Sequence, residues 1–313
     1  MRPFRFLAEA VAVVDGRQLA EKARRAESMG YSGLVISDHL LEQLAPVPAM
    51  ATIAAATERL RIGTFVFNND LRHPAVLAQD LATLDVLSGG RLEIGIGAGW
   101  NRPEYEAIGL PFADVGTRVA RLEESLAVLK GLFADEPFSF AGVHYTISEM
   151  DGQPKAMQRP HPPFLVGGGG RRILTLAGRE ADIIGLAPRT GHGTRADPHS
   201  LTCAATDEKL AWVREAAGDR FDRLEINVYP SGWPVVVTDD ARAEARKVID
   251  RFRERTGVEL TEDEVLESPH LFIGSVASLT EKFTRMRESL GISSIMVGGP
   301  DELAAVVERL AGT

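Results

Sequence analysis

Short apolar runs alternate with helical periodicities along this chain. Residues 4–7 form the first run, and Leu19, Ala23, Ala26 and Met29 then recur at helical spacing, with Asp15 and Gln18 placed to cap the helix start reciprocally and Gly30 to end it. Further strands are predicted at residues 33–37, 61–67, 92–96, 164–166, 181–186, 224–229 and 292–297, each bracketed by turn residues. Between them, a small-residue helix is expected over 48–57 and a second opens at Pro74 and runs through Leu77, Leu81, Leu84 and Leu87. Leu122, Leu126, Leu129 and Phe133, spaced four, three and four apart, mark another helix. The last starts at a capping box of Ser278 and Glu281 and turns Leu279, Phe283, Met286 and Leu290 inward.

Eight strands interleaved with helices predict an α/β fold, a (β/α)8 TIM barrel, with an open doubly wound sheet as the rival architecture. A barrel needs about 250 residues. The surplus in this 313-residue chain falls at 135–163, 188–206 and 230–275, read as a long irregular segment and decorated loops on a single domain.

Composition then narrows the function. A chain 44% hydrophobic and 25% charged is globular, and its net charge of -9 argues against general affinity for nucleic acid or anionic membrane. The single cysteine, Cys203, allows no intrachain disulfide and suits a reducing cytoplasm; it reads as a small packed side chain. No apolar run reaches the ~18 residues that span a bilayer. The histidines show no paired metal-ligand spacing and no Gly-x-Ser-x-Gly elbow occurs, so neither a metal centre nor a serine hydrolase is expected.

In a barrel the chemistry sits at the C-terminal strand ends. The second strand ends in Ser37-Asp38-His39, where a histidine can carry a proton and an aspartate can hold a ligand; a helix-capping Asp beside a solvated His is the competing reading. Phe65 and Phe67, at the end of the third, can back a ring system or simply pack. The fourth dissolves into Gly97-Ala98-Gly99-Trp100-Asn101, where a ligand can approach bare backbone. After the fifth, Gly167 to Gly170 feed a helix beside Arg171 and Arg172, an arrangement whose free N–H groups favour an anion. Arg189 follows the sixth strand within reach of an anion, in a loop whose His192, Arg195 and His199 read as basic surface.

Ser37-Asp38-His39, the Gly97-Ala98-Gly99-Trp100 run with Asn101 and Glu104, the Val166 to Gly170 run, and Ala177-Gly-Arg-Glu-Ala-Asp182 together resemble the luciferase-like monooxygenase superfamily, and more closely its deazaflavin-dependent branch. The resemblance implies a (β/α)8 barrel that binds coenzyme F420, or alternatively flavin mononucleotide, and acts on a small organic molecule. It implies that Asp38 contacts the cofactor head and that His39 is the catalytic proton donor. Phe65 and Val66 would form a backbone bulge, often with a non-proline cis peptide, behind the ring; Ala98, Gly99 and Asn101 would line its edge; Gly169, Gly170, Arg172 and Ile173 would hold its phosphate, with Arg189 nearby. It further implies a homodimer formed through helices near the second and third strands, and fits an actinobacterial source.

One departure shapes the expected reaction. The sugar-phosphate dehydrogenases of that branch carry a proton-accepting glutamate where this chain has Trp100, and Glu9 or Glu104 substitutes only if it faces the pocket. Hydride transfer from reduced deazaflavin to an electron-poor carbon is therefore the leading expectation. An oxygen-using flavin enzyme and a cofactor-binding barrel without turnover are the alternatives. Substrate choice falls to residues 135–163 and 188–206, where the resemblance is poorest.

Overall fold

All eight expected strands form. The computed structural model describes residues 1–10, 15–189 and 197–313, and its fold class is a (β/α)8 barrel with strands β1 (Arg5–Glu9), β2 (Gly33–Ile36), β3 (Arg61–Thr64), β4 (Leu92–Gly97), β5 (Phe164–Gly168), β6 (Ile183–Leu186), β7 (Glu225–Val228) and β8 (Ile292–Val297), helices lying between them in sequence. Two compact units divide the chain.

The first unit spans Ala10–Glu27 and Gly33–Val166. Here β2 pairs parallel with β3, β3 with β4, and β4 with the start of β5. All six residues of β4 are buried, the near-continuous apolar run of a parallel strand covered on both faces. The third strand is not the continuous 61–67 that its β-branched and aromatic residues suggest. It stops at Thr64, passes through a cis peptide bond between Phe65 and Val66, and resumes as Phe67–Asn68. From Gly63 to Phe67 the chain takes four steps, while its partner takes three from Glu93 to Ile96, so one extra residue is accommodated as a bulge. A Cβ on Gly95 would lie 1.9 Å from the Thr64 carbonyl oxygen, so only glycine admits this approach.

Two expectations change in this unit. Residues 135–163 are not wholly irregular, because Phe138–Ala141 and Thr146–Met150 pair as an antiparallel hairpin. The signal was the alternation Phe138-Ser-Phe140, whose rings stack at 6.2 Å, and the Glu124 carboxylate secures the turn by accepting from the N–H groups of Val143, His144 and Tyr145. The helix predicted over 48–57 begins earlier, as Pro46–Ala56, because proline is tolerated in a first turn.

The second unit comprises Met1–Glu9, Ser28–Ser32 and Gly167–Thr313. Parallel pairs run from β1 to β8, from β8 to β7 and from β7 to β6. Residues 230–275 hold more than loops: helices Ala241–Thr256 and Glu262–Glu267 and the paired strands Val236–Val237 and Ile273–Gly274. They close over a cluster of their own, in which Val248, Phe252, Val265 and Leu271 pack with Leu201. Capping was legible there, with Asp240 accepting from the Ala243 N–H and Thr261 and Glu264 forming a capping box. The last predicted box is corrected: helix Val276–Leu290 starts two residues before Ser278, and the Ser275 hydroxyl caps it by accepting from the Ser278 N–H.

Candidate functional site

The strand ends of each unit carry a separate cluster. In the first unit, the apolar run of β2 ends and Asp38 and His39 follow. Asp38 is buried, and its oxygens accept from both terminal nitrogens of the Arg72 guanidinium, at 2.5 and 3.0 Å, and from the Asn68 N–H at 3.0 Å. A carboxylate offers about four lone-pair positions, so acceptor capacity remains.

His39 is gripped from the other side. Its Nδ1 lies 3.0 Å from both oxygens of Glu104, a buried residue in the short helix Arg102–Ala107 that follows β4. A carboxylate accepts only, so Nδ1 carries the proton and Nε2 is the nitrogen left for a ligand. Trp100 stands edge-on to the imidazole with ring centres 5.5 Å apart. Sequence reasoning treated Glu104 as a possible stand-in for the missing glutamate; the structure makes it the partner of His39. Pairing of residues 65 apart leaves no periodic trace in the sequence, and the link between Asp38 and Arg72, 34 apart, is equally silent.

Gly99 connects these groups. It adopts φ +75°, and a Cβ there would meet the Tyr105 hydroxyl at 2.0 Å and the Asn68 Oδ1 at 2.5 Å. Tyr105 is fully buried and donates toward Asn68 Oδ1 at 2.9 Å; burial, then the Asp70 carboxylate, pushes its pKa up to about 12. Phe65, Val66, Ala98 and Asn101 are half-buried at these strand ends, and the Asn69 Oδ1 is buried with no hydrogen-bond partner among the described residues.

The second unit holds the glycine run. Helix Arg171–Glu180 begins after Gly170, which has no capping side chain, and the first helical bond runs from the Leu174 N–H to the Gly170 carbonyl. The N–H groups of Arg171, Arg172 and Ile173 thus precede the first intrahelical bond. Gly168 and Gly169 are packed tightly, since a Cβ on the former would meet Ile173 at 2.3 Å and one on the latter the Ala187 and Pro188 carbonyl oxygens at 2.6 Å, while Gly170 faces open space. Exposed Arg171 and Arg172 flank the opening, and the Ala187 N–H donates to the Gly168 carbonyl at 2.9 Å, tying this loop to the segment that carries Arg189. Open amides at a helix start, bare backbone and flanking cations fit a phosphate group. His192 and Arg195 lie outside the described residues; His199 is exposed, its N–H donating to Asp197.

Comparison with known proteins gives these features a context. The chain is 30% identical over 197 residues to the FMNH(2)-dependent dimethylsulfone monooxygenase of Pseudomonas putida, covering 63% of this chain and 50% of that protein. It is 34% identical over 214 residues to the F420-dependent glucose-6-phosphate dehydrogenase of Amycolatopsis mediterranei, covering 64% and 59%. The chain spans about half to two thirds of the length of the curated relatives it matches. The structure of the coenzyme F420-dependent tetrahydromethanopterin reductase from Methanopyrus kandleri superposes with a TM-score of 0.77 over 98% of both chains at 20% identity, a likeness of fold. The model of the luciferase-like monooxygenase family matches residues 3–313, nearly the whole chain, and the chain belongs to that family.

Proposed function

We propose that the protein is a coenzyme F420-dependent oxidoreductase that moves a hydride between the deazaflavin and a small organic substrate. The observation carrying this reading is the grip of Glu104 on His39, which fixes one tautomer and turns Nε2 into a proton carrier at the end of β2. A bound deazaflavin supplies or accepts the hydride, and lacks the ring nitrogen through which reduced flavin activates oxygen. Hydride addition to an electron-poor carbon leaves negative charge on the adjoining atom, and a proton from His39 Nε2 neutralises it. Glu104 keeps its hold on Nδ1 and so aims Nε2 while that proton moves. Trp100 adds an apolar wall, which favours an apolar or conjugated substrate.

For the cofactor, Asp38, Phe65, Val66, Ala98, Gly99 and Asn101 are assigned to the ring, and Gly169, Gly170, Arg172, Ile173 and Arg189 to the phosphate. We read the protein as a homodimer, supported by Val76, Val86 and Leu87 exposed on helix Pro74–Leu87.

The similarity to the Pseudomonas putida flavin enzyme supports a second reading, a flavin mononucleotide-dependent monooxygenase. Parallel titration of the purified protein with F420 and with flavin mononucleotide separates the two. Deazaflavin binding without flavin binding is expected, and the reverse would sink the proposal. Replacing His39 by Ala is expected to lower turnover by ~10²–10⁴-fold while the deazaflavin still binds. Absence of turnover in the parent protein on every electron-poor acceptor would favour a binding barrel instead.

A further inference from the structure

Lys209, on helix Cys203–Ala217, is fully buried, a placement lysine rarely takes without a specific partner. Among the described residues that partner is the Ser200 carbonyl oxygen, 2.8 Å from Nζ. Ser200 is fully buried too, and its hydroxyl accepts from the Arg189 N–H at 2.8 Å. The Arg189 carbonyl in turn accepts from the Asp197 N–H at 2.8 Å. Both backbone groups of Arg189 are therefore fixed, while its half-exposed guanidinium stands 3.8 Å from Glu208, the sequence neighbour of Lys209.

We propose that Lys209 is a positioning residue for Arg189: from its helix it fixes Ser200, and Ser200 fixes the backbone that carries Arg189 away from β6. The role rests on the reading of Arg189 as a contact for the cofactor's anionic part. Arg189, Asp197, Glu208 and His270 are the charged or titratable groups that act on Lys209 or feel it. Burial, then Arg189, lowers its pKa to about 8, and since the ammonium and the free amine both donate, the latch persists on either side of that pH. A side chain that merely filled space would be replaceable by methionine without consequence for Arg189; a donor to Ser200 would not.

The test combines hydrogen exchange with binding, using the full chain. In Lys209→Met the Arg189 and Asp197 amides are expected to exchange about tenfold faster or more, with the amides of β7 unchanged. Ser200→Ala, which leaves the buried lysine in place, is expected to release the Arg189 amide alike. In titrations with F420, Lys209→Met weakens binding without altering the rate of hydride transfer once bound, and adding it to Arg189→Ala weakens binding no further. Unchanged amides in both folded variants, or losses that multiply in the double variant, overturn the proposal. A chain that binds neither F420 nor flavin mononucleotide overturns the cofactor role of Arg189, and the exchange measurements then decide the latch by themselves.

Discussion

Buried without charge, His270 sets a pH limit on the second unit. Its Nδ1 lies 3.2 Å from the Tyr229 carbonyl, and its Nε2 has no hydrogen-bond partner among the described residues. Burial, then the Lys209 charge, lowers its pKa from 6.5 to about 3. Below pH 6.5 the unfolded chain takes a proton that the native chain refuses until about pH 3, so stability falls as pH falls through that window. Compared with His270→Gln by urea unfolding, the wild type is expected to lose about 1.4 kcal/mol more per pH unit in the acid limb. Lys282 behaves with the same sign at higher pH: burial lowers it to about 7, so between about pH 7 and 10.5 the native lysine is neutral while the unfolded one still holds its proton, and stability rises with pH through that window. In the first unit, Glu104→Ala frees the His39 ring, and turnover is expected to drop by roughly tenfold or more while deazaflavin affinity holds. Gly99→Ala has nowhere to place its methyl against Tyr105 and Asn68. It is expected to lower stability by ~2 kcal/mol or more, read as a lower Tm.

The elements show what a sequence carries and what it does not. Every barrel strand but β3 lies within a residue or two of its expected bounds, because a strand buried on both faces writes itself as a nearly uninterrupted apolar run, as β2 does over Gly33–Ile36. The break at Thr64 was hidden, since Phe65 and Val66 have the composition of a strand and the bulge is set by contact with β4. Helix Ala241–Thr256 has a capping aspartate and a left-handed Gly257, signals that were present but lost within a stretch read as loop. For helix Val276–Leu290, two serines compete in the sequence and the geometry chooses Ser275. Ser275→Ala is thus expected to cost about 1 kcal/mol in denaturant unfolding, and Glu281→Ala only a few tenths. Of the site, the glycine run and the Asp38-His39 pair were legible because they are local. The grips of Glu104 and Arg72 were not, because they join distant strand ends.

At the scale of the whole molecule, no helix among the described residues is long and apolar enough to cross a membrane. The net charge of -9 makes the basic group at Arg171, Arg172 and Arg189 a local exception. Selective attraction of an anionic ligand to such a spot weakens with salt, so deazaflavin affinity is expected to fall as ionic strength rises. The outward face of helix Pro74–Leu87, with Val76 and Leu87 more than half exposed, is the patch assigned to self-association. Val76→Glu with Leu87→Glu is expected to convert dimer to monomer in sedimentation equilibrium, and a wild type that sediments as a monomer would refute that assignment.

The four-glycine run is, in the end, not one feature. Gly168 and Gly169 are held by neighbours, but Gly170 has free space around it and an extended backbone, φ −100° and ψ 157°, that any residue can adopt. That conformation is what a capping serine or aspartate takes at a helix start. A side-chain oxygen there would satisfy the same N–H groups that an anion needs, stabilising the free protein while competing with its ligand. If the helix start holds the cofactor phosphate as proposed, its bareness is kept at the expense of folding: Gly170→Asp should yield a higher Tm and weaker F420 binding, and a higher Tm with unchanged F420 affinity would refute the phosphate assignment.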